Sequence, residues 1–410
     1  MKLKILGIIS ITSTISMACR TIDGEASKDK YSSGEHLILG DRGYLEACEN
    51  NQHCDPQILR LDGKKSFTYG ELVAFSGDFY ATPEEIYTEK EQAFHKFKRN
   101  NSDNVKENFK KEVQTIENFL HGHSEERYPD FNLSSAWNFP DYISLSLANA
   151  PHFGFYNMQN YIKYHGQALD LAIKARDLSK ADPEKGKQLL NQALFTNAFA
   201  DHFLTDGFAS GHIRDPRVQI LSWAQQKKIS NVTAGTLAKI VHDRDGEIRK
   251  SKEHGLNVSN ANGDNWFTRC DSQLFWNNNM EDESIQIPIK AVKASVREVL
   301  NAFQTGLQKK GIFAATQFVP FPRKGGRQLI ELFPATLLES DYDKIIEGMA
   351  IYTRIKIFSG IDKSVLKQFT KDLPEIMQAF RDDVVAMIGK DPELSGRLPP
   401  AYLKAFSDIR

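Results

Sequence analysis

His202 and Asp206 stand four residues apart, and His212 follows six residues later, in the stretch Ala200-Asp201-His202-Phe203-Leu204-Thr205-Asp206-Gly207-Phe208-Ala209-Ser210-Gly211-His212. The run before it, roughly Glu184 to Thr205, carries Leu189, Leu190, Ala193, Leu194, Ala198 and Leu204 at the spacing of a buried helix face. On such a helix, side chains four apart share one face, so an imidazole and a carboxylate converge. Gly207 lets the helix end, and a short loop can return His212 to the same place. Imidazole and carboxylate donors suit zinc. An isolated His-x-x-x-Asp is more often a solvated pair. Here Phe195, Phe199, Phe203 and Phe208 make the surroundings apolar, and a charged pair in such surroundings needs a reason. Gly207, Ala209, Ser210 and Gly211 leave room for a ligand.

The spacing His202-x-x-x-Asp206-x-x-x-x-x-His212, with His152-Phe-Gly upstream and His242-Asp-x-Asp downstream, resembles the central motif of the zinc-dependent phospholipases C and zinc-dependent single-strand nucleases. Within that superfamily it looks most like the phosphatidylcholine-cleaving branch of Gram-negative bacteria, of the Pseudomonas and Legionella kind. The resemblance spans roughly residues 35–276 and implies two or three zinc ions. It implies that His152, His202, Asp206 and Asp78 hold a first ion, and that His212, His242 and Asp245 hold a second. It also implies that His36 with Asp206 holds a third, Asp206 acting as the bridge. Asp78, in Phe-Ser-Gly-Asp-Phe-Tyr, is by the same resemblance the catalytic carboxylate that takes a proton from the attacking water. The chain departs from the pattern twice. Position 246 is Gly where an acid is usual; Asp245, three after His242, shares its helix face, whereas Glu247 does not. No Trp lies near the mature N-terminus, where Bacillus-type enzymes use one as a ligand. His53, His95, His121, His123 and His254 read as solvated, and His165 as a core or pocket-lining residue.

The elements that would carry these donors are helical. Helices are expected over Glu35–Ala47, Val105–Leu120, Asp141–Ala150, Gln159–Leu178, Glu184–Thr205, Val218–Lys228, Val232–Ile248 and Ile289–Leu307, with Pro288 in the first turn of the last. A late helix runs from Leu366 to Met387. Alternating strand patterns are scarce. The expected fold is mainly α, a multi-helix single large domain around a zinc cluster over residues 34–316, followed by a helical extension over 317–410. Phe318 to Gly326 is a candidate boundary for a small C-terminal subdomain.

The first 18 residues have the form of an export signal: Lys2 and Lys4, a short apolar run, then a small-x-small site at Ser16-Met17-Ala18. Residues 19–33 read as a linker. Cys19 stands where a bacterial lipoprotein carries its acceptor, so secretion and lipid anchoring at the cell envelope are both open. In an exported chain Cys48 and Cys54 are expected to pair; Cys270 is left over, or pairs with Cys19. The charges balance, 52 Lys and Arg against 53 Asp and Glu. A partner as anionic as nucleic acid usually demands a basic excess, so none is expected. Nor is an obligate protein partner. The expected activity is phospholipase C at a membrane surface, the metal-activated hydrolysis of the glycerol-side phosphodiester of phosphatidylcholine-like lipids. Phe79, Tyr80, Phe153 and Tyr156 flank candidate ligands; with Glu84 or Glu85 such rings can hold a quaternary ammonium by cation–π attraction, and the same rings can stack a nucleobase or pack in the core. The alternatives are an exported nuclease or nucleotidase of the same superfamily, and a surface lipoprotein that binds metal without turnover.

Overall fold

The computed structural model describes residues 33–88, 102–125, 149–245, 255–333, 342–343 and 362–409, except 50, 52, 62, 64, 78, 272, 276, 277, 309 and 326–328. The expected export segment, nearly all of the linker and most of the helix expected over Asp141–Ala150 lie outside the described residues, as do Asp78, His95 and His254.

The protein is mainly helical, as expected, with thirteen helices and five short strands among the described residues. In chain order they are α1 (Ser33–Ala47), the hairpin β1 (Ile58–Leu59) and β2 (Ser66–Phe67), α2 (Tyr69–Phe75), α3 (Pro83–Thr88), α4 (Ser102–Leu120), α5 (Phe155–Ser179) and α6 (Pro183–Asp206). There follow α7 (Ser210–Ile213), α8 (Arg217–Gln226), α9 (Asn231–Asp245), β3 (Leu256–Ser259), β4 (Asn265–Thr268) and α10 (Glu283–Thr305). Last come β5 (Phe321–Pro322), α11 (Lys363–Lys390), α12 (Pro392–Arg397) and α13 (Pro400–Ser407). A three-residue connection folds α6 back along α5. No described helix is long and apolar enough to cross a membrane.

Helix α6 is the centre of the fold. Asp182 caps it through Lys185 N, and Pro183 occupies its first turn, where a missing N–H costs nothing. From Ala193 to Asp206 every residue is buried, because α5 and α10 pack along the helix and α2 crosses its C-terminal half. A helix covered on all sides needs apolar or satisfied residues all round, which is what the Phe- and Ala-rich run supplies. Helix α10 begins at Glu283, capped by Asp282, so Pro288 sits inside it and not in the first turn as its sequence suggests. The cap is the stronger signal, and the proline ring forfeits only one early backbone hydrogen bond.

The C-terminal helices share this core. Phe155 of α5 packs on Tyr402 and Phe406, Trp223 Nε1 of α8 donates to Asp372 Oδ2 at 3.0 Å, and the Arg397 guanidinium lies 4.6 Å from the Phe313 ring centroid. Phe321–Pro322, at the boundary suggested by sequence, is instead the third strand of the antiparallel sheet β4-β3-β5. The Cys48–Cys54 disulfide is present. Cys270 is also disulfide-bonded.

Candidate metal centre

The last turn of α6 presents His202 and Asp206 side by side, with His202 Nε2 3.6 Å from Asp206 Oδ2. His202 is fully buried, and its Nδ1 lies 3.0 Å from the Val73 carbonyl of α2. A carbonyl only accepts, so Nδ1 carries the proton and Nε2 keeps its lone pair. Burial, set against the attraction of Asp206, holds the His202 pKa well below the usual histidine range. A neutral imidazole with a free lone pair is the state a metal requires.

Two further imidazoles converge on Asp206. The 3-10 turn Ala150–His152 brings His152 Nδ1 to 2.7 Å from Asp206 Oδ2 and 3.1 Å from His202 Nε2. Helix α1 brings His36, whose ring stacks on His202 at 4.6 Å and whose Nε2 is 3.5 Å from Asp206 Oδ1. His36 Nδ1 pairs with the Thr205 hydroxyl at 2.7 Å. The loop after α2 reaches these rings through Gly77, at φ +72°, where a Cβ would lie 2.6 Å from His152 Cε1 and 2.8 Å from His202 Cδ2. Only glycine fits that approach.

A second group forms beside the first. His212 follows α6 as the sequence suggests; its Nε2 is 2.9 Å from Asp271 Oδ2, and its Nδ1 is 3.6 Å from Asp206 Oδ1. His242, on the last turn of α9, places Nε2 3.2 Å from the same Asp271 oxygen. Its ring occupies the space a side chain on Gly211 would need, so that glycine makes room for a ligating ring and not for a ligand. Two sets of side chains are thus positioned to hold a metal ion: His36, His202 and Asp206, and His212, His242 and Asp271, the donor atoms of each within 4.8 Å of one another.

Six of the eight metal ligands suggested by sequence come together: His36, His152, His202, Asp206, His212 and His242. Asp78 lies outside the described residues. Asp245 does not join them. Both its oxygens are taken by Arg214, at 2.7 and 2.8 Å, in a pair whose members are each 1 % exposed. Asp271 supplies the carboxylate instead. The β3–β4 hairpin delivers it: the Thr268 hydroxyl donates to the Phe208 carbonyl, and Ser210 N donates to Arg269 O at 2.8 Å. The strand end is thereby fastened to the loop that carries His212. His36, expected at a third position, stands in one group with His202 and Asp206.

The four aromatic residues expected to meet the substrate differ in their surroundings. Phe79 and Tyr80 are buried, ring against ring with Phe75. Phe153 is buried too, stacked 4.3 Å from His212 on a ring face and covered by Arg217 at 4.2 Å, so it orients a histidine of the second group. Tyr156 is partly exposed, its hydroxyl accepting from Gln219 Nε2 at 2.9 Å. His165 is the satisfied core histidine its flanks suggest, between Asn197 and Glu298.

Charge is unevenly placed. Burial opposes ionisation of Asp206, but His202, His152 and His212 hold its carboxyl below the usual range. Asp271 is likewise held low, against burial, by His212 and His242. Burial works against a charge on His212, yet Asp271 and then Asp206 push its pKa up to about 9. A histidine raised from 6.5 to about 9 stabilises the fold fully below pH 6.5 and loses that contribution as pH passes 9. Metal-free protein should therefore lose stability between those limits. Metal must expel the same proton, so apparent zinc affinity of the second group should rise with pH over that interval. Calorimetric titration with zinc at pH 7.5, in buffers of different ionisation enthalpy, should show about one proton released at this group. Uptake without proton release would mean that His212 is already neutral.

Comparisons with protein families, with curated proteins and with solved structures found no match to this chain.

Proposed function

We propose that the chain is an exported zinc-dependent phosphodiesterase, a phospholipase C that cleaves the glycerol-side phosphodiester of phosphatidylcholine-like lipids. One observation carries the reading. Two donor groups stand side by side with Asp206 between them, one of its oxygens 3.5 Å from His36 and 3.6 Å from His212. Paired sites of this kind serve in-line displacement at phosphorus, where one cation faces the attacking oxygen and the other the leaving oxygen.

The donors suit zinc. They are imidazoles and carboxylates without a thiolate. Donors about 2.05 Å from a tetrahedral ion lie roughly 3.3 Å apart. The separations of 3.5 and 3.6 Å to Asp206, and of 3.2 Å from His242 to Asp271, fall near that edge length. The 2.7 Å between His152 and Asp206 is a hydrogen-bond distance and would lengthen on ligation.

An ion held by these residues would supply a water with its pKa lowered toward about 7 and a positive charge opposite the phosphate oxygens. The chain does the rest. The Val73 and His152 carbonyls fix the tautomers of His202 and His212, and Thr205 holds the His36 ring. Phe153 excludes water from the far face of His212.

The test is hydrolysis of phosphatidylcholine and of single-stranded DNA by the zinc-loaded protein, each with and without a chelator. Phosphocholine release that a chelator stops is the expected result. Cleavage of DNA alone would replace the lipase by a nuclease on the same site. Zinc uptake with no turnover of either would leave a metal-binding protein.

A further inference from the structure

His242 sets its outer nitrogen against the carboxylate of the next residue on its own helix. Its Nδ1 lies 3.1 Å from Asp243 Oδ1. The outer nitrogens of His202 and His212 face carbonyls, and that of His36 a hydroxyl. Asp243 is in turn held by Lys239, whose Nζ is 2.8 Å from one carboxylate oxygen and 2.9 Å from the other. Lys239 is 3 % exposed and Asp243 7 %.

Helix stability does not account for this pair. Lysine four residues before an acid is the weaker order along a helix, and an acid in the last turn opposes the helix dipole. Burying both charges adds a desolvation cost that a surface pair avoids. The arrangement makes sense as support for a ligand. Carboxylates behind metal-bound imidazoles fix the tautomer and raise the basicity of the donor nitrogen. A buried carboxylate without an opposing charge would turn away from the imidazole toward water. The ammonium, in contact with both oxygens, keeps Oδ1 facing Nδ1.

We infer that Lys239 and Asp243 are positioning residues for the second metal group, where Asp243, gripped by Lys239, fixes the His242 ring with Nε2 turned toward Asp271. This rests on the metal-binding reading above and concerns one group only.

Zinc alone is the probe, titrated into metal-free wild type, K239M and the double variant K239M/D243N, with elemental analysis of ions retained. Wild type should take up two ions. K239M should keep one at wild-type affinity and bind the other about tenfold more weakly or worse. The double variant removes both charges but keeps an amide oxygen opposite Nδ1–H, and should regain most of that loss. Simple disruption of packing would make the double variant worse than the single one. Two ions at unchanged affinity in K239M would overturn the inference, as would a folded double variant that loses the second ion. The double variant decides the matter even if K239M does not fold. A wild type that takes up no zinc would overturn the metal reading itself, and the inference with it.

Discussion

Replacing Asp206 by asparagine should strip both metal groups together and lower phosphodiester hydrolysis by about 10³-fold or more, the equivalent of losing several kcal/mol of charge stabilisation. Asp206 belongs to the first group and also reaches His212 of the second. Oδ1 faces His36 and His212, and Oδ2 faces His152 and His202, all within 3.6 Å. Asparagine keeps the shape, but its NH₂ half must face one pair of imidazoles, where a donor repels a metal. It also removes the charge that offsets two cations in a side chain only 3 % exposed. Loss of folding must be distinguished from loss of metal. The zinc-free D206N protein should melt as a cooperative unit, while zinc, which at about a thousand times its dissociation constant adds about 4 kcal/mol per site to wild type, should no longer raise its melting temperature. A D206N protein that retains two ions would end the assignment of Asp206 as the bridge.

The frame of this site was legible in the chain because it is local. One helix, Phe- and Ala-rich in its second half, carries His202 and Asp206 at a spacing only a helix makes useful, and His212 follows after a turn. His36, His152 and His242 were reached through resemblance in motif, and they do converge. What could not be read is set by contacts between distant segments. Asp245 shares a helix face with His242, but spacing does not say what that face meets. It meets Arg214, 31 residues away in sequence, which takes both oxygens. Asp271 comes on a hairpin whose signal is present, Leu256 and Val258 alternating with polar residues, then Asn262-Gly263, then Trp266 and Thr268 on one face. Strands so short are easily lost among helices, and nothing in them says that Thr268 and Ser210 will join the hairpin to the loop that carries His212. Phe79 and Tyr80 show the same limit from the other side. Aromatic residues beside ligands look alike in sequence whether they line a cleft or pack on Phe75. The periodicity of α11 marks a helix, but not that Phe380 will abut Gly154 behind His152.

The two aspartates divide that uncertainty into a pair of opposite results. D271N should keep the fold and lose the second ion, because His212 and His242 then share no carboxylate between them. With Asp271 neutral, the larger of the two attractions that hold His212 protonated is gone, so its pKa should fall toward 6.5, and the decline in metal-free stability above pH 6.5 should become smaller and end at lower pH. Hydrolysis should fall nearly as far as in D206N, since a paired site with one ion no longer clamps both oxygens. D245N should do the reverse. It breaks a buried two-pronged pair and takes from the Arg214 guanidinium the opposing charge of Asp245, a loss of about 3–5 kcal/mol, large against a typical stability of 5–15 kcal/mol. Its folded fraction should still hold two zinc ions, because Asp245 touches none of the donor atoms. Denaturant midpoints and zinc content measured on the same samples separate the two. If D245N kept its stability and lost an ion while D271N kept both, the acid at the second group would be Asp245 after all, and the hairpin would have no part in the chemistry.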